Sequence, residues 1–232
     1  MARDSRLAQL PRVLLWAWER PIRFSALPPS VGIAYLAGTL VLSDHEGAAR
    51  PRFQPLVIPS SAPVVAVVRV EIDAKRGPTL TDQQAQWAAE SVLALASRPR
   101  VIALQVDFDA TSGERCFYST MLARLRRVIP ARWPLSITAL ASWCMGDPWI
   151  RDLPIDEAVP MLFRMGPDSR GVRARLDAGQ DFSLDVCRTS LGLSLDEPLA
   201  RVPQGRRRYV FSADGWNEHS IAQALRLSEP AR

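Results

Sequence analysis

Val64-Val65-Ala66-Val67-Val68-Arg69-Val70-Glu71-Ile72-Asp73 reads as a strand with two unlike faces. Val64, Ala66, Val68, Val70 and Ile72 form an unbroken apolar set, while the alternate set ends in Arg69, Glu71 and Asp73. Successive side chains of a strand point to opposite faces. One face is therefore suited to burial against helices, and the other gathers charge toward its C-terminal end. The pattern returns in Val101-Ile102-Ala103-Leu104-Gln105-Val106-Asp107-Phe108-Asp109-Ala110. There Ile102, Leu104, Val106, Phe108 and Ala110 are expected to face helices, and Gln105, Asp107 and Asp109 to face away from them. Apolar outside, with polar groups inside at the C-terminal rim, is the signature of a closed parallel barrel.

Six further segments have strand character, being short, β-branched or aromatic, and bounded by Pro, Gly or Asp. They are Val13–Trp18, Val31–Leu42, Leu135–Cys144, Val159–Met165, Leu184–Arg188 and Tyr209–Ala213. Helical spacing of apolar residues predicts a helix from an N-cap at Thr81 to about Ser97, and another from Ser112 to about Val128, where Pro130 stops it. Short helices are expected over 168–177 and 217–227, and irregular links after the first, second and fifth strands. The fold class is α/β: a single lean (β/α)8 TIM-like barrel over 1–232, with several shortened or irregular βα connections and an irregular N-terminal arm over 1–11. A doubly wound open sheet is the runner-up, weakened because no G-x-G-x-x-G or Walker loop follows any strand. No internal repeat is present.

Composition narrows the function classes. With 47% hydrophobic and 23% charged residues among 232, the chain sits near globular averages. No apolar run approaches the roughly 18 residues of a membrane helix. The formal charge is +5, but of 29 basic residues only Lys75 is lysine, leaving 28 scattered arginines with one run, Arg206 to Arg208. Nucleic-acid binders concentrate charge on one face, so no nucleic-acid partner is expected. Cys116, Cys144 and Cys187 are odd in number and far apart, and suggest neither a disulfide framework nor a zinc site. His45 lies in a polar loop and His219 near the C-terminus, so neither a histidine metal centre nor a Ser-His-Asp site is expected. Met1 to Leu10 lacks the apolar core of a signal peptide. The chain as written reads as cytoplasmic, or as an envelope or exported protein if the true start lies upstream.

The strongest functional signal is the set of charged and polar side chains aimed into one confined mouth: Arg69, Glu71, Asp73, Gln105, Asp107, Asp109 and, from the sixth strand, Arg164. Neighbouring strands run about 4.8 Å apart, so the acids of the third and fourth strands should be first neighbours. Close carboxylates push one another's pKa values apart, which yields one acid and one base. Asp109, with Asp107 or Glu71 as its ionised partner, is the expected catalytic set. Trp18, Glu19, Asp73, Gln105, Trp143, Arg164, Asp214 and Trp216 are expected to bind substrate, the indoles by stacking on a sugar ring. No cofactor is expected. A divalent cation on Asp73, Asp107 and Asp109 is a third class, opposed by the nearby arginines.

The phrases Trp16-Ala17-Trp18-Glu19-Arg20-Pro21, Leu104-Gln105-Val106-Asp107-Phe108-Asp109-Ala110, Ile137-Thr138-Ala139-Leu140-Ala141-Ser142-Trp143-Cys144 and Met161-Leu162-Phe163-Arg164-Met165-Gly166 resemble a bacterial domain family of unknown function (number 3142). The resemblance runs over nearly the whole chain and implies no activity, though members are often exported or lipid-anchored. The fourth strand is also similar to that of chitinase-like glycoside hydrolases, whose D-x-x-D-x-D-x-E ends in the general acid. Asp107 and Asp109 match the last two Asp, but Thr111 stands where the Glu belongs; Glu114, Glu71 or Glu19 would have to substitute. The reading is a glycoside-hydrolase-like barrel that processes a polysaccharide with paired rim carboxylates. The rival is a non-catalytic barrel that binds a glycan or another polar ligand.

Overall fold

Eight strands pair in parallel and close on themselves in the computed structural model, which describes residues 2–227. They are β1 (Val13–Ala17), β2 (Val31–Ser43), β3 (Val64–Ile72), β4 (Val101–Asp107), β5 (Leu135–Leu140), β6 (Glu157–Met161), β7 (Ser190–Ser194) and β8 (Arg207–Phe211). Closure comes through β1, which pairs with β8 from Val13 opposite Arg208 and with β2 from Val13 opposite Val31. The closed β/α barrel is TIM-like, and the open-sheet alternative is excluded. Three short strands lie outside the ring: Ile22–Arg23 pairs with Leu56–Val57, and Glu46–Pro51 folds back antiparallel on β2.

Five helices accompany the strands: α1 (Arg3–Leu7), α2 (Asp82–Ala96), α3 (Arg115–Val128), α4 (Ser169–Asp177) and α5 (Glu218–Arg226). Thr81 caps α2 by accepting the Gln84 amide at 3.2 Å. Thr111 and Glu114 form a capping box on a short 3-10 turn that leads into α3. The links after β1, β2 and β5 contain no α-helix, as the sequence suggests.

Strand parity holds over most of the barrel. Val64, Ala66, Val68 and Val70 of β3 and Leu104 and Val106 of β4 pack outward with Ala85, Ala88, Val92 and Leu95 of α2 and Phe117, Met121 and Leu125 of α3. Val65, Val67 and Ala103 pack inward with Leu14, Trp16, Ala34, Val159 and Tyr209, so the lumen is a filled core. Ile102 departs from its expected outward place. The register shifts between Val64 and Val65, and Ile102 packs against the inner cluster.

A directed hydrogen-bond chain crosses this core. Trp16 Nε1 donates to Gln105 Oε1 at 3.0 Å, and Gln105 Nε2 to Ser136 Oγ at 3.1 Å. Ser136 bonds in turn to the Tyr209 hydroxyl, which donates to Glu157 Oε1 at 2.6 Å. Arg207 Nη1 neutralises Glu157 at 2.8 Å, and its Nη2 donates to the Leu7 carbonyl. The N-terminal arm is therefore ordered: α1 lies within it, and Arg6 reaches the buried Asp156, which Arg126 holds from the other side. These ties close the N-terminal end of the barrel.

Four strands differ in their bounds from the sequence reading. The seventh strand is Ser190–Ser194, whereas Leu184–Arg188 contains only a 3-10 turn, Asp185–Cys187. Ser-Leu-Gly-Leu-Ser has weak strand propensity, and its central glycine is closely surrounded: a Cβ on Gly192 would meet Met161 Sδ at 2.9 Å, and the Pro160 carbonyl oxygen and the Trp16 ring at 3.3 Å. The sixth and eighth strands begin earlier, at Glu157 and Arg207, whose opposite charges disguise strand residues that pair inside the barrel. Residues Ala141–Cys144 leave β5 as a 3-10 turn.

The cysteine reading is overturned. Cys144 and Cys187, both fully buried, form a disulfide that ties the turn after β5 to the turn before β7, while Cys116 is free and exposed. The bridge spans 43 residues, a loop length at which loss of a bridge costs on the order of 2–4 kcal/mol. Protein isolated from its native cells is expected to titrate with one free thiol, and Cys187→Ser to lower the unfolding free energy in non-reducing urea by about that amount. Three free thiols and an unchanged transition would contradict the bridge.

Candidate functional site

The C-terminal ends of the strands surround a cleft of about 670 Å³. Its acidic wall is built on β3 and β4, where Arg69 stands opposite Asp107 in the strand register. Arg69 Nη1 donates to Asp107 Oδ2 at 2.8 Å, its Nε to Glu71 Oε1 at 2.9 Å, and its Nη2 lies 3.9 Å from Asp109 Oδ2. The guanidinium also lies over the Trp18 ring, 5.8 Å from its centre. Thr138 on β5 donates to Asp107 Oδ1 at 2.6 Å. Asp107 is thus buried and bonded at both oxygens. Glu71 is half-exposed, and Asp109, just past the end of β4, is 64% exposed.

This arrangement separates the carboxyl groups. Burial works against the charge of Arg69, but Asp107, Glu71 and Asp109 together hold its pKa above the ordinary value. Asp109 is pushed upward, first by the desolvating walls of the cleft and then by the negative Asp107, with Arg69 opposing in part. Both effects favour its protonated form.

The opposite wall is aromatic. Phe163 and Phe211 stack in parallel at 5.5 Å, 8° apart, and Phe163 meets Trp16 edge-on at 6.2 Å. Arg164 follows β6, with its guanidinium 5.3 Å above Phe211. Met161 and Met165 complete this side.

The cleft brings together Glu71, Asp107, Asp109, Trp18, Glu19 and Arg164 of the expected site residues. Trp18 and Glu19 are placed by Arg52, whose guanidinium donates to the carbonyls of Ala17, Trp18, Arg20 and Gln54. Glu19 spends one oxygen on the amides of Phe53 and Gln54. Arg164 makes no side-chain ion pair with a carboxylate among the described residues; only its backbone amide reaches one, Glu197.

The remaining candidates lie elsewhere. Gln105 is fully buried in the interior chain beneath the cleft. Asp73 holds its own turn by accepting the Lys75 and Arg76 amides, which with Arg76 lower its pKa. Trp143 is buried in the outer core, edge-on to Trp149 at 5.0 Å. Trp216 is fixed by donating to the Trp16 carbonyl at 2.7 Å, and Asp214 is exposed outside the cleft lining. Glu114 is consumed by its capping box. With Asp73 apart from Asp107 and Asp109, the cation set is not assembled, and no group of three or more metal-ligating side chains occurs among the described residues.

Sequence reasoning missed Thr138, although the parity of β5 points Ser136 and Thr138 inward between Leu135, Ile137 and Ala139. It also missed the Phe163–Phe211 stack, which lies at or beyond the strand ends where parity carries no information. Comparison with protein-family models, curated proteins and solved structures returns no match.

The raised Asp109 pKa has a consequence for stability. A carboxyl whose folded pKa exceeds its unfolded value destabilises the fold increasingly as pH rises from the unfolded value, about 3.9, through the folded one. Asp109→Asn is therefore expected to raise the melting temperature at pH 7, with the gain vanishing below about pH 4. A lower melting temperature at pH 7 would show that the ionised group is stabilised instead.

Proposed function

We propose that the barrel is a glycan-processing enzyme of the glycoside-hydrolase-like kind, acting on a chain laid across the cleft between Trp18 and the Phe163–Phe211 wall. The observation that carries this reading is the inequality of three neighbouring carboxyl groups: Asp107 fully bonded, Glu71 bonded at one oxygen, and Asp109 open to the cleft. Glycosidic cleavage needs an acid and an ionised carboxylate. Asp109, with its raised pKa, donates a proton to the glycosidic oxygen as the C–O bond breaks. Glu71, held by the Arg69 Nε hydrogen bond, serves as nucleophile or as base toward water. Asp107, itself held by Thr138, positions Arg69 and adds negative potential at Asp109. Asp109 thereby takes the part that Glu plays in chitinase-like enzymes, where this chain has Thr111.

Membership of the bacterial family of unknown function numbered 3142 belongs to the same proposal and rests on the quoted motifs. So does residence in an oxidising compartment, supported by the Cys144–Cys187 bridge; three free thiols in native protein would remove that support. No helix of the described residues is long and apolar enough to cross a membrane.

A non-catalytic glycan-binding barrel is the second reading, favoured by the engagement of both Asp107 and Glu71 with Arg69. Reducing-end release from a panel of bacterial and plant polysaccharides separates the two. The enzyme reading expects release that falls as pH rises through the Asp109 pKa, and a loss of roughly a hundredfold or more in Asp109→Asn. Glycan binding without release by the wild type would instead establish the binding barrel.

A further inference from the structure

Three arginines line the cleft, and two are occupied. Arg69 holds the acidic cluster, and Arg20 donates through Nη1 to the Ala213 carbonyl. Arg164 differs: its guanidinium makes no hydrogen bond or ion pair among the described residues, although its side chain is held in place. It rests on the face of Phe211, which is itself stacked on Phe163. Its backbone adopts φ +49°, a region costly for a long side chain. The conformation is secured by the Arg164 amide donating to Glu197 Oε2 at 3.0 Å. An arginine aimed into a cleft, braced from below and given no partner by the protein is arranged to receive one. Its planar fork matches the two oxygens of a carboxylate or of a sulfate or phosphate ester.

Charge is also divided across the mouth. Glu71, Asp107 and Asp109 stand on β3, on β4 and just after β4, and Arg164 stands beyond β6, with Thr138 and Leu140 of β5 between them; of the other acids lining the cleft, Glu19 follows β1 and Asp168 lies on the Arg164 side. Arg69 offsets Asp107 and Glu71, so an anionic group entering beside Arg164 does not face three uncompensated carboxylates.

We infer that the glycan taken by this cleft is acidic, and that Arg164 is the specificity-determining residue that binds its oxyanion. The inference rests on the glycan-processing reading and names its substrate class. A uronic acid carboxylate, a sulfate ester and a phosphate ester share this chemistry and differ in which probe binds best.

The test is calorimetric titration of the full chain carrying Asp109→Asn, which prevents turnover, with matched probes. These are an oligogalacturonate against its methyl ester, chondroitin sulfate against unsulfated chondroitin, and a phosphorylated against a plain mannan. The acidic member of at least one pair should bind roughly tenfold or more tightly than its counterpart. Arg164→Gln should erase that preference, and Arg164→Lys should keep part of it, with thermal melting showing that both variants fold. Equal binding within every pair overturns the acidic class, and a preference that survives Arg164→Gln overturns the assignment to Arg164; either result leaves the glycan reading standing. Failure of every glycan to bind overturns both.

Discussion

Arg69 is the constraint on which the mouth of the barrel depends. It sits on β3 opposite Asp107 of β4, and its three nitrogens reach acids from two strands and from the segment beyond β4. A lone carboxylate as buried as Asp107 would be strongly disfavoured, and a lone guanidinium hardly less so. Together, with the Thr138 hydroxyl, they form a satisfied unit. Once that unit is fixed, Glu71 and Asp109 acquire different environments, one bonded and one open. The chemistry proposed for the cleft follows from that difference.

The two ends of the barrel use arginine–carboxylate pairing for different purposes. At the N-terminal end, Arg207 with Glu157 and Arg6 and Arg126 with Asp156 are packed under α1, and each carboxylate is nearly inaccessible. Water and ligand are kept out, so the pairs serve the fold. At the C-terminal end, the same residue types line an open cleft, and two carboxyl groups keep an oxygen turned to solvent. Between the ends runs the Trp16–Gln105–Ser136–Tyr209–Glu157 chain, which fills the lumen with bonded polar groups. Gln105 belongs to that chain, which is why a polar residue on the inward face lies under the cleft and not in it.

Much of the barrel was legible because β3 and β4 are amphipathic with period two, and because Thr81 and Pro130 punctuate the helices. The acidic wall was legible for the same reason: parity alone puts Arg69, Glu71, Asp107 and Asp109 on one side. What parity does not reach lay hidden. β7 carries Ser190, Gly192 and Ser194 at alternate positions, with Gly192 against the Trp16 ring, and β6 and β8 start with charges that cancel only in three dimensions. The destinations of Trp143 and Trp216 depend on turns after the strand ends, where an indole packs inward as readily as it faces a cleft. The disulfide joins two turns distant in sequence, and no local pattern announces it.

The central claim is that the crowding around Arg69 divides the carboxyl groups into a reluctant acid and its bonded partners. Carbon-13 NMR titration of the Asp109 carboxyl, in the wild type and in Arg69→Met, tests it directly. Asp109 is predicted to titrate above the usual aspartate value of about 3.9, and higher still when the opposing guanidinium is removed. An Asp109 that titrates at or below that value, unmoved by the loss of Arg69, would contradict the account.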